Sequence, residues 1–331
     1  MEKYSLLDLA PVAEGSTVAD ALSNSLDLAR AAEAAGYYRY WVAEHHNMVG
    51  IASSATAVLI GRLASVTTHM RIGAGGIMLP NHAPLMVAEQ FGTLASFFGD
   101  RIDLGLGRAP GTDMATARAL RRHMRQEDSF AQDVQELQGY LGDAPQDARV
   151  RAIPGMGTKL PIWILGSSLY GAQLAAMLGL PYAFASHFAP DMLGEALHVY
   201  RSTFQPSQQL SAPYAIVAAS VCAAETDDEA IYLRSSMVQS FANLVTNNRG
   251  KVQPPMEDVE SKYGPAVMAQ VNRMLACSAT GAPESLRTQL GAIIDAYKPD
   301  ELMVTGMTYD HGARVRSFEI AAQVLAEFVA T

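Results

Sequence analysis

Cysteine is nearly missing from this 331-residue chain: only Cys222 and Cys277 occur. They lie far apart, with neither CxxC nor metal-like spacing, which excludes a disulfide framework and a cysteine zinc site. Two such thiols read as buried residues of a reducing compartment, the cytoplasm. Long apolar runs are missing too, since none reaches the ~18 residues of a membrane span. The opening Met1-Glu2-Lys3-Tyr4-Ser5-Leu6-Leu7-Asp8 lacks the basic and apolar regions of a leader peptide. Charge is scarce at 17%, and 24 basic against 33 acidic residues leave −9, which argues against nucleic acid or an anionic membrane as partner. What is abundant is apolar side chain, 49% of the chain, enough for a sizeable core. The length suits one large α/β barrel or two domains.

Short apolar runs alternate with longer amphipathic ones. Strands are expected at Tyr4–Leu9, Tyr37–Ala43, Met70–Leu79, Ile102–Leu106, Pro161–Leu165, Tyr182–Ala185, Tyr214–Val221 and Glu301–Thr305, with a helix in every gap. Val18–Ala35 ends at Gly36, Ser54–Val66 follows a serine cap, and Pro84 opens the helix through Phe98 behind Asn81. Leu169–Leu178 ends at Gly179, and Ala313–Val329 closes the chain. Eight strand–helix units predict an α/β fold, a single (β/α)8 TIM-type barrel over residues 1–331. More than one helix separates the last two strands, so an insertion at about 246–282 is expected as a lid. Within or beside it, Met237, Phe241, Met256, Tyr263 and Met268 suit an apolar pocket or simple helix packing.

Chemistry-bearing residues fall at the ends of the expected strands. Trp41-Val42-Ala43-Glu44-His45-His46-Asn47 closes the second strand with two adjacent imidazoles. In an extended segment Glu44 and His46 point one way and His45 the other, so one histidine reaches into a site while the other braces the loop. Gly73-Ala74-Gly75-Gly76-Ile77 ends the third strand, and Gly75-Gly76 marks either a tight bend or the close approach of a flat ligand. Arg108 follows the fourth strand among small residues, where its fixed donors suit an anion or a carbonyl-rich ring; an exposed loop arginine is the plain alternative. The spacing Gly105-x-Gly107-x-x-x-Gly111 is not a dinucleotide fingerprint. After the fifth strand, Gly166-Ser167-Ser168-Leu169-Tyr170-Gly171 opens a helix whose free N–H groups could cradle a phosphate, or form an ordinary serine cap. Adjacent histidines diverge, which disfavours a metal at His45 and His46, although His82, His187 and His311 also fall near strand ends. The absence of G-x-S-x-G removes the serine-hydrolase reading.

Taken in order, Arg39–His46, Gly73–Pro80, Arg101–Gly111 and Leu165–Pro181 resemble the bacterial luciferase-like flavin monooxygenase family over nearly the whole chain. The resemblance implies a barrel that binds FMN at the C-terminal ends of its strands, through Gly75, Gly76, Ile77, Arg108, Ser167, Ser168 and Gly171. It implies a non-prolyl cis peptide at Gly75-Gly76 and a catalytic role for His45, with Glu44 and Arg108 beside it. Glu44 either orients an imidazole or serves as a structural carboxylate. Gly107 stands where light-emitting members carry a reactive cysteine, which implies a non-luminescent branch; Gly171 stands where they carry threonine, so one side-chain contact to phosphate would be missing. The implied activity is monooxygenation of a small organic substrate with O2 through a C4a-peroxyflavin, reduced FMN coming from a separate NAD(P)H:flavin reductase. His45 would act there as a base or proton shuttle with a pKa near working pH. A homodimer is implied as well. Alternatives are an O2-independent deazaflavin- or NAD(P)H-dependent oxidoreductase on the same barrel, a flavin-binding protein without turnover, and a metal-dependent hydrolase.

Overall fold

Nine parallel strands form one sheet in the computed structural model, which describes residues 1–109, 112–120, 129–143 and 147–329. They are β1 (Lys3–Asp8), β2 (Arg39–Val42), β3 (Arg71–Met78), β4 (Ile102–Gly107), β5 (Ile162–Gly166), β6 (Tyr182–Phe184), β7 (Ala215–Ala223), β8 (Ser278–Gly281) and β9 (Glu301–Thr305). The sheet order β6-β5-β4-β3-β2-β1-β9-β7 closes through β6–β7 pairing, so eight strands make a barrel and β8 stands outside it. Twelve helices surround it among the described residues. Before β6 run α1 (Val18–Ala34), α2 (Thr56–Ala64), α3 (Pro84–Phe98), α4 (Met114–Ala119), α5 (Phe130–Leu141) and α6 (Leu169–Leu178). After it come α7 (Leu193–Thr203), α8 (Asp227–Val245), α9 (Val259–Tyr263), α10 (Pro265–Met274), α11 (Pro283–Tyr297) and α12 (His311–Ala326). Among the described residues no helix is long and apolar enough to cross a membrane.

Strand β8 was not among the eight expected. Ser-Ala-Thr-Gly is short and weakly apolar, and it is fixed by backbone pairing of Ser278–Gly281 with Ser220–Ala223 of the overlong β7 rather than by hydrophobic period. The stretch 246–282 therefore holds α9 and α10 and ends in the sheet. Two caps also differ from expectation. Helix α2 starts at Thr56 behind Ala55, without a serine cap, and α3 starts at Pro84 behind Ala83, while Asn81 ends a 3-10 turn. Both cysteines are buried and unpaired.

Alternation along the strands sorts side chains into two layers. Tyr40, Val42, Leu104, Leu106, Ile164 and Val217 face the helices and join the main core. Leu7, Trp41, Ala43, Trp163, Ala183, Ile216 and Met303 fill the lumen, with Trp41 and Trp163 edge to face at 5.3 Å. Below them an ionic floor closes the N-terminal end. The Arg39 Nε and Nη2 donate to Glu301 at 2.7 and 3.0 Å, and its Nη1 donates to Asp103 at 2.6 Å. Arg71 and the Trp41 indole also donate to Asp103, and Tyr214 donates to Glu301. Burial alone would pull Arg39 down, but Glu301 and Asp103 outweigh it and hold the guanidinium firmly charged.

Candidate active site

Every candidate residue sits at the C-terminal end of a barrel strand, the face on which such barrels place their chemistry. At the end of β2, Glu44 is 1% exposed yet fully engaged. Its Oε1 accepts from His46 Nε2 at 2.8 Å, and its carboxylate from His82 Nε2 at 2.9 and 3.0 Å. The Met78 backbone N–H donates to Oε2 at 3.0 Å. A carboxylate only accepts, so both histidines carry their proton on Nε2. Burial alone would raise the Glu44 pKa, but the hydrogen bonds and charge of His82, then His46 and Met78, hold it below the usual carboxylate range. The three side-chain donors lie within 4.8 Å of one another, compact enough for a cation, yet they already satisfy one another by hydrogen bonds. The imidazoles that Glu44 orients are thus His46 and His82, while His45 stands apart.

His45 follows β2, two residues beyond Ala43 and four beyond Trp41, both of the lumen layer. Its Nδ1 is buried without a partner, and burial pushes its pKa down to about 4. That replaces the expectation of a pKa near working pH: at neutral pH this ring is uncharged. His187, just beyond β6, repeats the pattern, with a buried unpartnered Nδ1 and a pKa lowered to about 4 by burial and by nearby His45. A buried N–H without an acceptor is costlier to keep than a bare lone pair, which favours the Nε2–H tautomer in both rings. His187 joined the scattered histidines in the sequence; its kinship with His45 needs the closed barrel to be visible.

On β3 the Gly75-Gly76 peptide is cis. A Cβ on Gly75 would meet Trp41 at 2.9 Å, and one on Gly76 would meet the Gly105 carbonyl oxygen at 2.7 Å, so neither position admits a side chain without movement. Ile77 turns its side chain into the outer core, leaving only backbone to a ligand. Beyond β4, Arg108 is exposed, with its guanidinium carbon 4.2 Å from the centre of the Tyr170 ring. Pro110 and Gly111 of the same motif lie outside the described residues. Beyond β5, Ser168 takes the N-cap position of α6 with extended backbone and no side-chain cap bond. Its hydroxyl, that of Ser167 and the first N–H groups of α6 are the donors a phosphate needs. Gly171 is buried in the first turn, where a Cβ would press on Tyr182 at 3.3 Å.

The segment after α8 reaches the loop that follows β1. Val252 N–H donates to Val12 O at 2.9 Å, Glu14 N–H to Val252 O at 2.8 Å, and Lys251 Nζ to Ser16 O at 2.7 Å, which ties the segment to the β1–α1 loop. Arg249 comes close enough for its charge to weigh on His45. Met237, Phe241 and Met268 pack together with Val238 and Val271 between α8 and α10, and the Tyr263 hydroxyl donates to Asn243. These residues pack helix against helix.

The model of the luciferase-like monooxygenase family matches residues 3–296. A luciferase-like monooxygenase of Escherichia coli (strain K12) is 52% identical over 327 residues, covering 98% of each chain. An N-acetyl-S-alkylcysteine monooxygenase of Bacillus subtilis (strain 168) is 32% identical over 317 residues, 92% of each. Among solved structures, apo-MsnO8 superposes with a TM-score of 0.91 at 34% identity, covering 98% of this chain and 99% of that one. The FMN complex of the oxygenating constituent of 3,6-diketocamphane monooxygenase from Pseudomonas putida shares the fold, with a TM-score of 0.75 at 16% identity and 100% and 99% coverage. With its closed barrel and a match to the family model from the first strand to the penultimate helix, this chain belongs to the luciferase-like monooxygenases.

Proposed function

We propose that the chain oxidises a small organic substrate with O2 and reduced FMN, the flavin being delivered by a separate NAD(P)H:flavin reductase. The supporting observation is the convergence, at the ends of β3, β4 and β5, of bare Gly75-Gly76 backbone, Arg108 over Tyr170, and the uncapped start of α6. That donor set suits a flat ring carrying a phosphate tail. Ser167, Ser168 and the α6 N–H groups would hold the phosphate, Gly75, Gly76 and the Ile77 backbone would lie along the ring, and Arg108 would pair with its anionic or carbonyl edge. Reduced FMN, when bound, supplies the oxygen-activating chemistry. The protein's own part is to exclude water beneath the lid and to present the uncharged His45 N–H to an acceptor oxygen. The Glu44 clamp keeps the β2 and β3 loops in place around it.

A homodimer in the cytoplasm belongs to the same proposal. Val58, Met86 and Phe97 on α2 and α3 are 75%, 57% and 76% exposed, an apolar face suited to a second copy. Light scattering tests it directly. The flavin reading is tested by titrating oxidised and reduced FMN while following fluorescence and oxygen uptake. Tighter binding of the reduced form, weakened in Arg108→Ala, supports it; binding of neither form refutes it. Flavin reduction without oxygen uptake would instead indicate an O2-independent oxidoreductase.

A further inference from the structure

Among the described residues, Asp8, Glu44, Asp103 and Glu301 are the buried carboxylates, and all but Glu44 have an arginine. Asp8 pairs with Arg314, Asp103 with Arg39 and Arg71, and Glu301 with Arg39. No arginine or lysine reaches Glu44 among the described residues. The His46 and His82 imidazoles, the Met78 N–H and the Asn81 amide share its oxygens. Burial raises its pKa, but the hydrogen bonds of His82, His46 and Met78 bring it below the usual carboxylate range. A negative charge therefore lies inside the protein without a permanently charged partner, at a place open to a cation.

The donors around that charge are those a first-row divalent ion takes. His46 Nε2 lies 2.8 Å from Glu44 Oε1, His82 Nε2 lies 2.9 Å from the same oxygen, and the three donor atoms all fall within 4.8 Å of one another. Ligand bonds of about 2.0–2.2 Å set neighbouring donors about 3.3 Å apart around a tetrahedral ion, so side-chain adjustment suffices to admit one. Two imidazole nitrogens and one carboxylate suit zinc and its first-row neighbours, whereas Mg2+ and Ca2+ take oxygen ligands. The His46 and His82 side chains are 16% and 30% exposed, which gives an ion a way in and water for its remaining coordination positions. We infer that Glu44, His46 and His82 form a binding site for one zinc-type divalent cation. Binding moves each imidazole proton from Nε2 to Nδ1, frees the Nε2 lone pairs, and exchanges the hydrogen bonds to Glu44 for coordination bonds. The pair is His46 with His82, brought together by the loops after β2 and β3, and not the adjacent His45 and His46 whose spacing disfavours a shared metal. The site does not depend on the flavin reading.

The test is calorimetric titration of the chelator-stripped full chain with ZnCl2, and with MgCl2 as control, in wild type, His82→Gln and His69→Ala. Wild type should take up a single Zn2+ with micromolar affinity or better, and no Mg2+. His82→Gln should weaken zinc binding at least about a hundredfold, the upper end of what even an outer-shell partner is worth. His69→Ala removes an exposed histidine beside Glu33 and should change nothing. Co2+ should give wild type a visible absorption band that His82→Gln lacks. Thermal unfolding without metal checks that His82→Gln is folded. Should it not be, wild type alone decides: Zn2+ should shield His46 and His82, and not His69, from diethyl pyrocarbonate, as mapped by peptide mass spectrometry. Zinc binding no tighter than millimolar, equal in wild type and His82→Gln, or lost in His69→Ala overturns the inference. So does shielding that spares neither His46 nor His82, or that covers His69 equally. The titration contains no flavin, so its failure and that of the flavin assignment are read separately.

Discussion

Acid should destabilise this protein well before its carboxylates protonate, because two neutral imidazoles are enclosed at the mouth. His45 and His187 fall from an ordinary 6.5 to about 4. Each tenfold loss of proton affinity is worth about 1.4 kcal/mol, so each ring carries about 3 kcal/mol, reduced to about 2–3 because solvent reaches part of it. The folded pKa lies below the unfolded one, so this stability is complete above pH 6.5 and drains as pH falls from there toward 4. Glu44, also depressed, begins to give up its share only as pH falls through the ordinary carboxylate pKa, so the loss above about pH 5 belongs to the histidines. Urea unfolding of wild type at pH 7.5, 6.5, 5.5 and 4.5 should show the loss, with up to two extra protons bound on unfolding. In His45→Asn/His187→Asn the slope over that window should flatten even if the variant is less stable overall. A double variant with the wild-type slope, or histidine NMR titrations centred near 6.5 for both rings, would refute the account.

Other perturbations have equally definite outcomes. Glu44→Gln removes the charge that gathers His46, His82 and the Met78 N–H, so denaturant curves should show a loss of about 2–3 kcal/mol. Glu301→Ala strands Arg39 in the barrel floor and should cost about 3–5 kcal/mol in the same assay. In Gly105→Ala the new Cβ would lie 2.2 Å from the Ala74 carbonyl oxygen; a cost of about 1–3 kcal/mol is expected, with weakened FMN binding as the strands part. Arg108→Ala, at an exposed position, should leave stability within about 0.5 kcal/mol while lowering FMN affinity roughly tenfold; equal affinity would remove Arg108 from the flavin site.

Barrel strands were readable because each carries a local signal. Arg39-Tyr40-Trp41-Val42 is β-branched and aromatic, is flanked by a glycine-ended helix, and emerges as β2. The single extra strand, β8, has no such signal, since its four residues are held only by what lies beside them. Candidate site residues followed the same division. Positions at strand ends could be picked out one by one, as Gly75, Arg108 and Ser168 were, because the topology delivers strand ends to one face. Pairings could not. That Glu44 answers His82, 38 residues away, or that Arg39 answers Glu301 across the seam of the barrel, depends on closure.

The ionic floor also bears on how material moves. Arg39, Glu301, Asp103 and Tyr214 are locked across one end of the barrel, with the tryptophan layer above them, so that end is filled by paired side chains. On the proposed function, cofactor, gas, substrate and product would all have to share the opposite rim, beside the segment strapped to the β1–α1 loop at residues 251–252. Turnover is then a matter of sequence and timing at one shared rim. Loosening the strap on the β1–α1 loop would then act on access to the rim rather than on the paired floor at the far end.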